Sequence, residues 1–404
     1  MAEVDTITIE DATDRLIDYR GKTPPKTDSG VRLITAKVVK GGQILDQPAE
    51  FIAEDFYDEW MRRGLPQRLD VLLTTEAPLG EVAVLRTNAR IALAQRIILL
   101  RAKSGRVDPL FLFYALQSEF GQGELRARSS GTTVLGIKQR ELRQVRIPIF
   151  ALPSQQRIAR ILSTYDELIE NSQRRIQILQ TMSRALYQEW FVNFRFPGHE
   201  DHLCVPSALG AIPKGWEVKK LGEIAEEIRR NVPKGELEAP KPYVGLEHIP
   251  RRALALDAWE TASEIGSNKL AFKHGEVLFG KIRPYFHKVS VAPFDGVCSA
   301  DTIVIRARRP EHYAVVVACV SSDAFVASAS ATANGAKMPR ANWDVLKKFQ
   351  VAIPKGKVAK DFSSLFSDII AHQQALIFQI QNLRRTRNLL LPRLLSGELD
   401  IEAA

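Results

Sequence analysis

The chain has 404 residues, 45% hydrophobic and 25% charged, a length that exceeds one ordinary hydrophobic core and predicts two or three globular domains. The apolar run 314–320 falls far short of a membrane span, the acidic start Met1-Ala2-Glu3-Val4-Asp5 has no apolar leader, and the scattered Cys204, Cys298 and Cys319 offer no disulfide framework, so a cytoplasmic protein is expected. A net charge of +9 leans toward a polyanionic partner.

In chain order, β-prone runs at 31–34, 71–74, 82–85 and 97–100 precede a helix at 110–119. Lys22 and Lys26, flanking Thr23-Pro24-Pro25, are a minor basic candidate. Glu50, Glu54, Asp55, Asp58 and Glu59 have the spacing of a solvated helix face rather than of a Mg²⁺ site. In the loop Thr74–Glu81, Thr75 and Glu76 can read base edges, Glu accepting from cytosine N4. The stretch 125–146 carries Arg126, Arg128, Lys138, Arg140, Arg143 and Arg146 against Glu141, and Lys138 and Arg140 suit phosphate contacts.

A long helix is predicted from Pro153-Ser154, with Ser154 as cap, to about Phe191. Ile158, Leu162, Tyr165, Ile169, Ser172, Ile176, Leu179, Ser183, Leu186 and Trp190 recur in steps of four and three, a coiled-coil seam. The stretch 196–215 reads as a linker, and its His199, His202 and Cys204 lack a second cluster at zinc spacing.

The second half predicts strands at 277–279, 289–292 and 303–305 and a helix at 313–321. Its best binding candidate is the segment 280–288, where Lys281, Arg283, Tyr285 and Lys288 combine cations for phosphate or guanine with an aromatic side chain for stacking. The alternative is a strand–turn–strand whose aromatics fill core. Lys337 and Arg340 form a second phosphate candidate. A last helix begins after Lys355-Gly356-Lys357 and is expected to stop near Pro392. Its seam is Phe362, Phe366, Ile369, Gln373, Leu376, Ile380, Leu383, Arg387, Leu390 and Leu394.

The two seams are offset by 204 residues, as are Gly131 and Gly335, and Asp70 and Pro78 return as Glu276 and Pro284 at 206. A repeat this long is a domain duplication, not a solenoid. The expected fold is α+β, with globular parts at 1–152 and 198–355 and helices at 153–197 and 356–404. The helices can pair with each other antiparallel, pack on their own domains, or dimerise the chain. No Walker A sequence, Gly-x-Ser-x-Gly elbow or Asn/Asp-Pro-Pro-aromatic loop is present, so the chain reads as a binder, not a catalyst.

The segments Leu152-Pro153-Ser154-Gln155-Gln156-Arg157-Ile158, Ala211-Ile212-Pro213-Lys214-Gly215-Trp216 and Leu391-Pro392-Arg393-Leu394-Leu395-Ser396-Gly397-Glu398-Leu399 resemble the DNA-specificity subunits of type I restriction–modification systems. The resemblance spans nearly the whole chain. It implies two target-recognition domains, each reading half of a bipartite site in double-stranded DNA, joined by helices that set the spacer and dock two methyltransferase subunits. It also implies a complex that can recruit two restriction/translocase subunits or act in modification alone, and that uses S-adenosylmethionine for modification, and ATP and Mg²⁺ for restriction, with none of that catalysis in this chain. The helix near 356 lacks the Pro-Ser-Gln-Gln start, having Lys357-Val358-Ala359-Lys360 instead. The competing reading is a coiled-coil scaffold without sequence-specific DNA binding.

Overall fold

The computed structural model describes residues 5–19, 21, 23–335 and 337–399. They form two compact units, Met1–Leu168 with Leu383–Ala404, and Ile169–Asn382. Both are mixed α+β, and the boundary falls inside both long helices. Among the described residues no single helix is long and apolar enough to cross a membrane.

In unit 1 an antiparallel sheet runs in the order Thr13–Asp18, Ile97–Ala102, Val71–Thr75, Leu79–Val84. Its central strands are aliphatic on both faces because both are covered: Leu73, Ile98 and Leu100 face one cluster, and Leu72, Leu99 and Ile97 another. The first cluster meets the helix Pro109–Gln117, capped by Asp108, and the helix Glu119–Ala127. The second lies beneath the sheet Glu50–Ile52, Val31–Ile34, Ile91–Leu93. The expected acidic helix face is mostly absent. Glu50 is in a strand, held below the usual carboxylate range by its hydrogen bond to Lys26, and only Tyr57–Trp60 is helical.

Unit 2 repeats the central sheet as Ala225–Ile228, Thr302–Ala307, Val277–Gly280, Val289–Val291, followed by helices Tyr313–Val320 and Asp323–Ala331. The repeat reaches single atoms. The Ser118 hydroxyl caps its helix by accepting from Gly121 N at 3.1 Å, and Ser322, 204 residues on, accepts from Phe325 N at 3.2 Å. Each sheet also buries a carboxylate at the repeated position: Asp70, 2% exposed, is bonded by Arg101, and Glu276, 4% exposed, by Arg230. A second, five-stranded sheet in unit 2 includes Gly235–Val244 and Glu260–Ile265.

The central helix spans Leu152–Tyr187, about 54 Å at 1.5 Å per residue, and ends in a π-turn, Gln188–Val192. Ser154 therefore lies inside the helix and is not its cap. The neighbouring Gln155 is fully buried and fixes this helix start to unit 1. Its side chain accepts from Asp108 N at 3.0 Å and donates to Arg106 O at 3.0 Å and Phe150 O at 2.7 Å. The C-terminal helix spans Gly356–Leu395, so it stops near Pro392 as expected but three residues beyond it, with the proline inside the last turn. Proline removes only the bond to the carbonyl of Asn388, which is exposed to water, and Ser396 N still bonds Pro392 O at 2.9 Å.

Each unit is closed by the start of one long helix and the end of the other. In unit 1, Ile158 and Leu162 share a core with Leu394 and Leu395, and Asp166 accepts from Tyr114 Oη and Arg387 Nη1, both at 2.6 Å. Burial, with the Asp166 charge adding to it, holds the Tyr114 phenol far above its ordinary pKa. In unit 2, Trp190 packs tilted and Phe191 edge-on against Phe362, and Arg175 lies 3.1 Å from His372. Of the predicted seam, Ile158, Leu162, Ile169, Phe366, Leu376 and Ile380 are buried, while Tyr165, Ile176, Leu179, Leu186, Ile369, Leu383 and Leu390 are half-buried. Beside Ile369, it is Ile370 that is buried, as expected when a 3.6-residue helix drifts against a 3.5-residue repeat.

The expected linker is structured. Phe196, Ile212 and Trp216 belong to the unit 2 core, and Cys204–Ser207 pairs with Gly210–Pro213 as a hairpin. His199 and His202 pack edge-on against Phe196. Burial pushes the thiols of Cys298 and Cys319 up to about 12, so both behave as inert core side chains.

Candidate nucleic-acid interface

The strand Val277–Gly280 delivers the chain into the basic segment. Lys281 N donates to Asp301 O at 2.8 Å, and Arg283 and His287 both take left-handed backbone conformations on either side of a short 3₁₀ turn, Pro284–Phe286. That turn projects Tyr285, 55% exposed, while Phe286 stays half-buried against it with ring centroids 4.8 Å apart. Pro284 and His287 point inward, and His287 Nε2 lies 2.9 Å from Ser321 O. Burial pulls the His287 imidazole below its ordinary pKa. The segment is thus partly core, as the competing sequence reading had it, and partly surface.

The structure brings the two basic candidates of unit 2 together. Arg283 N donates to Pro339 O at 2.7 Å, Ala341 N donates to Lys281 O at 2.9 Å, and Ile282 bridges Arg340. Lys337 is exposed, and exposed Arg340 reaches Asp301 at 3.4 Å. Arg283 Nε is buried with no hydrogen-bond partner among the described residues, so a donor is in place that nothing in the unit satisfies. Lys288 faces the other way. Its ammonium donates to Leu246 O, and burial lowers its pKa, so it braces the loop rather than presenting charge.

Unit 1 repeats this joint with different side chains. Ile137 N donates to Thr75 O at 3.0 Å and Glu76 bridges Gly136, the counterparts of the contacts around Ile282 and Arg340. Thr75 is 3% exposed, so its hydroxyl is not available at the surface as the sequence reading required. The strand–loop joint has buried it, and its contribution is backbone bonding. Glu76 is paired with Arg96 at 2.9 Å. Lys138 and Arg140 are exposed at the start of the helix Gln139–Arg143. Lys26 is occupied by Glu50 at 2.6 Å, and Lys22 lies outside the described residues.

Two residues were missed. The Arg251 guanidinium sits 4.2 Å over the Phe286 ring, joining the basic surface from a distant segment, and Arg96 neutralises Glu76. The Arg251-Arg252 pair was visible in the sequence, but its proximity to Phe286 depends on an isolated bridge between Arg251 and Lys288. Among the described residues no group of three or more His, Cys, Asp or Glu side chains could hold a metal ion.

Residues 37–180 match the family model described as the type I restriction modification DNA specificity domain. The specificity subunit of the type I restriction enzyme MjaIX from Methanocaldococcus jannaschii is 27% identical over 345 residues, covering 82% of this chain and 78% of its own. The EcoDI specificity subunit from Escherichia coli is 24% identical over 318 residues, covering 72% and 70%. Among solved structures, the type I restriction–modification S subunit from M. genitalium aligns with a TM-score of 0.60 at 16% identity, over 98% of this chain and 97% of that one, a likeness of fold.

Proposed function

We infer that this chain, one of the type I restriction–modification specificity subunits, selects the DNA sequence on which its complex acts, each unit reading one half of a bipartite site. The observation that carries this is the duplicated joint: the same strand–loop contact occurs in both units, with exposed Lys138 and Arg140 beside a neutralised Glu76–Arg96 pair in one copy and Lys281, Arg283, Lys337 and Arg340 around the other. Two scaffolds of one design with different surface chemistry suit two different half-sites. In this reading Lys281, Arg283, Tyr285, Lys337 and Arg340 serve one half-site, and Lys138, Arg140 and Glu76 the other.

The long helices form the spacer as an antiparallel coiled coil that docks two methyltransferase subunits and admits two restriction/translocase subunits. The reading is supported within unit 2, where Arg175 neighbours His372 and Trp190 neighbours Phe362, so positions climb on one helix as they fall on the other. S-adenosylmethionine, ATP and Mg²⁺ are assigned to the partner subunits. The test is selection from a random duplex library by the chain assembled with its methyltransferase subunit. Enrichment of a split motif supports the function. A stable complex that enriches nothing would instead establish the coiled-coil scaffold.

A further inference from the structure

The duplication supplies a comparison within one chain. In each unit a short loop, 131–135 or 335–339, is closed by a reciprocal pair of backbone bonds. Ser130 N donates to Gly136 O at 2.8 Å and Gly136 N to Ser130 O at 2.9 Å, while Asn334 N donates to Arg340 O at 3.1 Å and Arg340 N to Asn334 O at 2.8 Å. Both loops open on a glycine with positive φ, 116° at Gly131 and 109° at Gly335, and a Cβ on Gly131 would lie 2.2 Å from Val134 O. The two loops are therefore closed at their bases by the same pair of bonds.

At the repeated tip position stand Val134, 54% exposed, and Met338, 53% exposed. Leu135 beside Val134 is 45% exposed, and the two help wall an open recess of about 410 Å³ with Pro78 and Leu125. Exposed cations flank each tip: Lys138 and Arg140 in unit 1, Lys337 and Arg340 in unit 2. An exposed apolar group within a cationic rim matches a surface that is anionic around a small apolar feature. The edge of a DNA major groove is such a surface, and its apolar feature is the thymine 5-methyl group.

We propose that Val134 and Met338 are specificity-determining residues, each meeting a thymine methyl in the half-site read by its unit while the flanking cations hold phosphates. This rests on the DNA-reading function above. Val134 offers polar base edges no hydrogen-bonding atom and Met338 only a weakly accepting thioether, so the tips select for the methyl and against cytosine at that position.

The test uses the full chain in complex with its methyltransferase subunit and a duplex carrying the mapped motif, with each thymine replaced in turn by deoxyuracil. The wild type should lose about fourfold in affinity at one position in each half, the worth of one buried methyl group. Val134→Ser should abolish that sensitivity in one half only and Met338→Ser in the other. Val134→Thr, which keeps the branch and one methyl, should retain part of it and controls for folding. Leu45→Ser, at an exposed leucine elsewhere in unit 1, should change neither half. Uracil tolerated at every position, a half-site with no A·T pair, or sensitivity surviving in Val134→Ser and Met338→Ser would overturn the proposal. Bending of the duplex without methyl sensitivity would do so too, making the tips groove wedges. Failure to select any sequence is a separate result, which removes the DNA-reading function itself.

Discussion

Gln155→Ala should unfasten the central helix from unit 1 and leave unit 2 untouched. The side chain is fully buried and makes three hydrogen bonds to the backbone, at Asp108, Arg106 and Phe150. Each contributes about 0.5–1.5 kcal/mol net, and a buried group left without a partner costs about 1–3 kcal/mol. Arg106 is exposed and Phe150 half-buried, so water can reach their carbonyls, and the lasting losses are the bond to Asp108 N and the vacated volume. The sum is about 2–4 kcal/mol, at least a twentyfold rise in local opening at about 1.4 kcal/mol per decade. Hydrogen exchange on the full chain reads this directly. Peptides covering 105–118 and 152–168 should exchange faster, and the matching peptides of unit 2 should not, because position 359 is alanine and Phe362 is held by Trp190, Phe191 and Phe366. A change below about 0.5 kcal/mol, or equal acceleration in both units, would refute the reasoning.

Asp70→Ala leaves the half-buried Arg101 guanidinium without its carboxylate and Gln67 N without its acceptor, and should destabilise unit 1 by about 1–3 kcal/mol, read as a lowered urea midpoint for proteolysis of that unit. Acid should loosen unit 2 around His287, which faces Asp323, Arg252 and Arg184. Burial depresses its folded pKa, so the unfolded chain takes up the proton first; the stabilisation is full above the ordinary value of 6.5 and is lost as pH falls through the folded value. Protection in 284–291, taken relative to the intrinsic exchange rate at each pH, should fall as pH drops below 6.5, and His287→Gln should flatten the dependence. Adding four residues to each long helix, between Ile169 and Leu179 and in the facing stretch 369–379, lengthens the proposed spacer by about 6 Å. The preferred gap between half-sites should grow by about two base pairs, and an unchanged gap would remove the helices' role as a ruler.

Much of the fold was legible because its signals are local. The runs 31–34, 71–74, 97–100 and 277–279 are mostly apolar, and each became a strand within two residues of the expected ends. The heptad seam survived because burial on a long helix follows its period. What was missed depends on tertiary context. Gly235–Val244 contains Pro240 and Pro242 yet forms a strand, and the hairpin at 204–213 contains Pro206 and Pro213. Proline composition reads as loop until a partner strand is known. Of the candidate site, the basic segments were legible from their charge, but the burial of Thr75, the turning inward of Lys288 and the placement of Arg251 over Phe286 arise from contacts between residues tens of positions apart.

Mapping the modified bases in DNA from cells that co-express this chain with its methyltransferase subunit tests the central claim most directly. The account predicts a motif of two short specified halves separated by a fixed unspecified gap, with substitution of Arg283 altering one half and leaving the other intact. A continuous motif, or no motif from a complex that assembles stably, would contradict it.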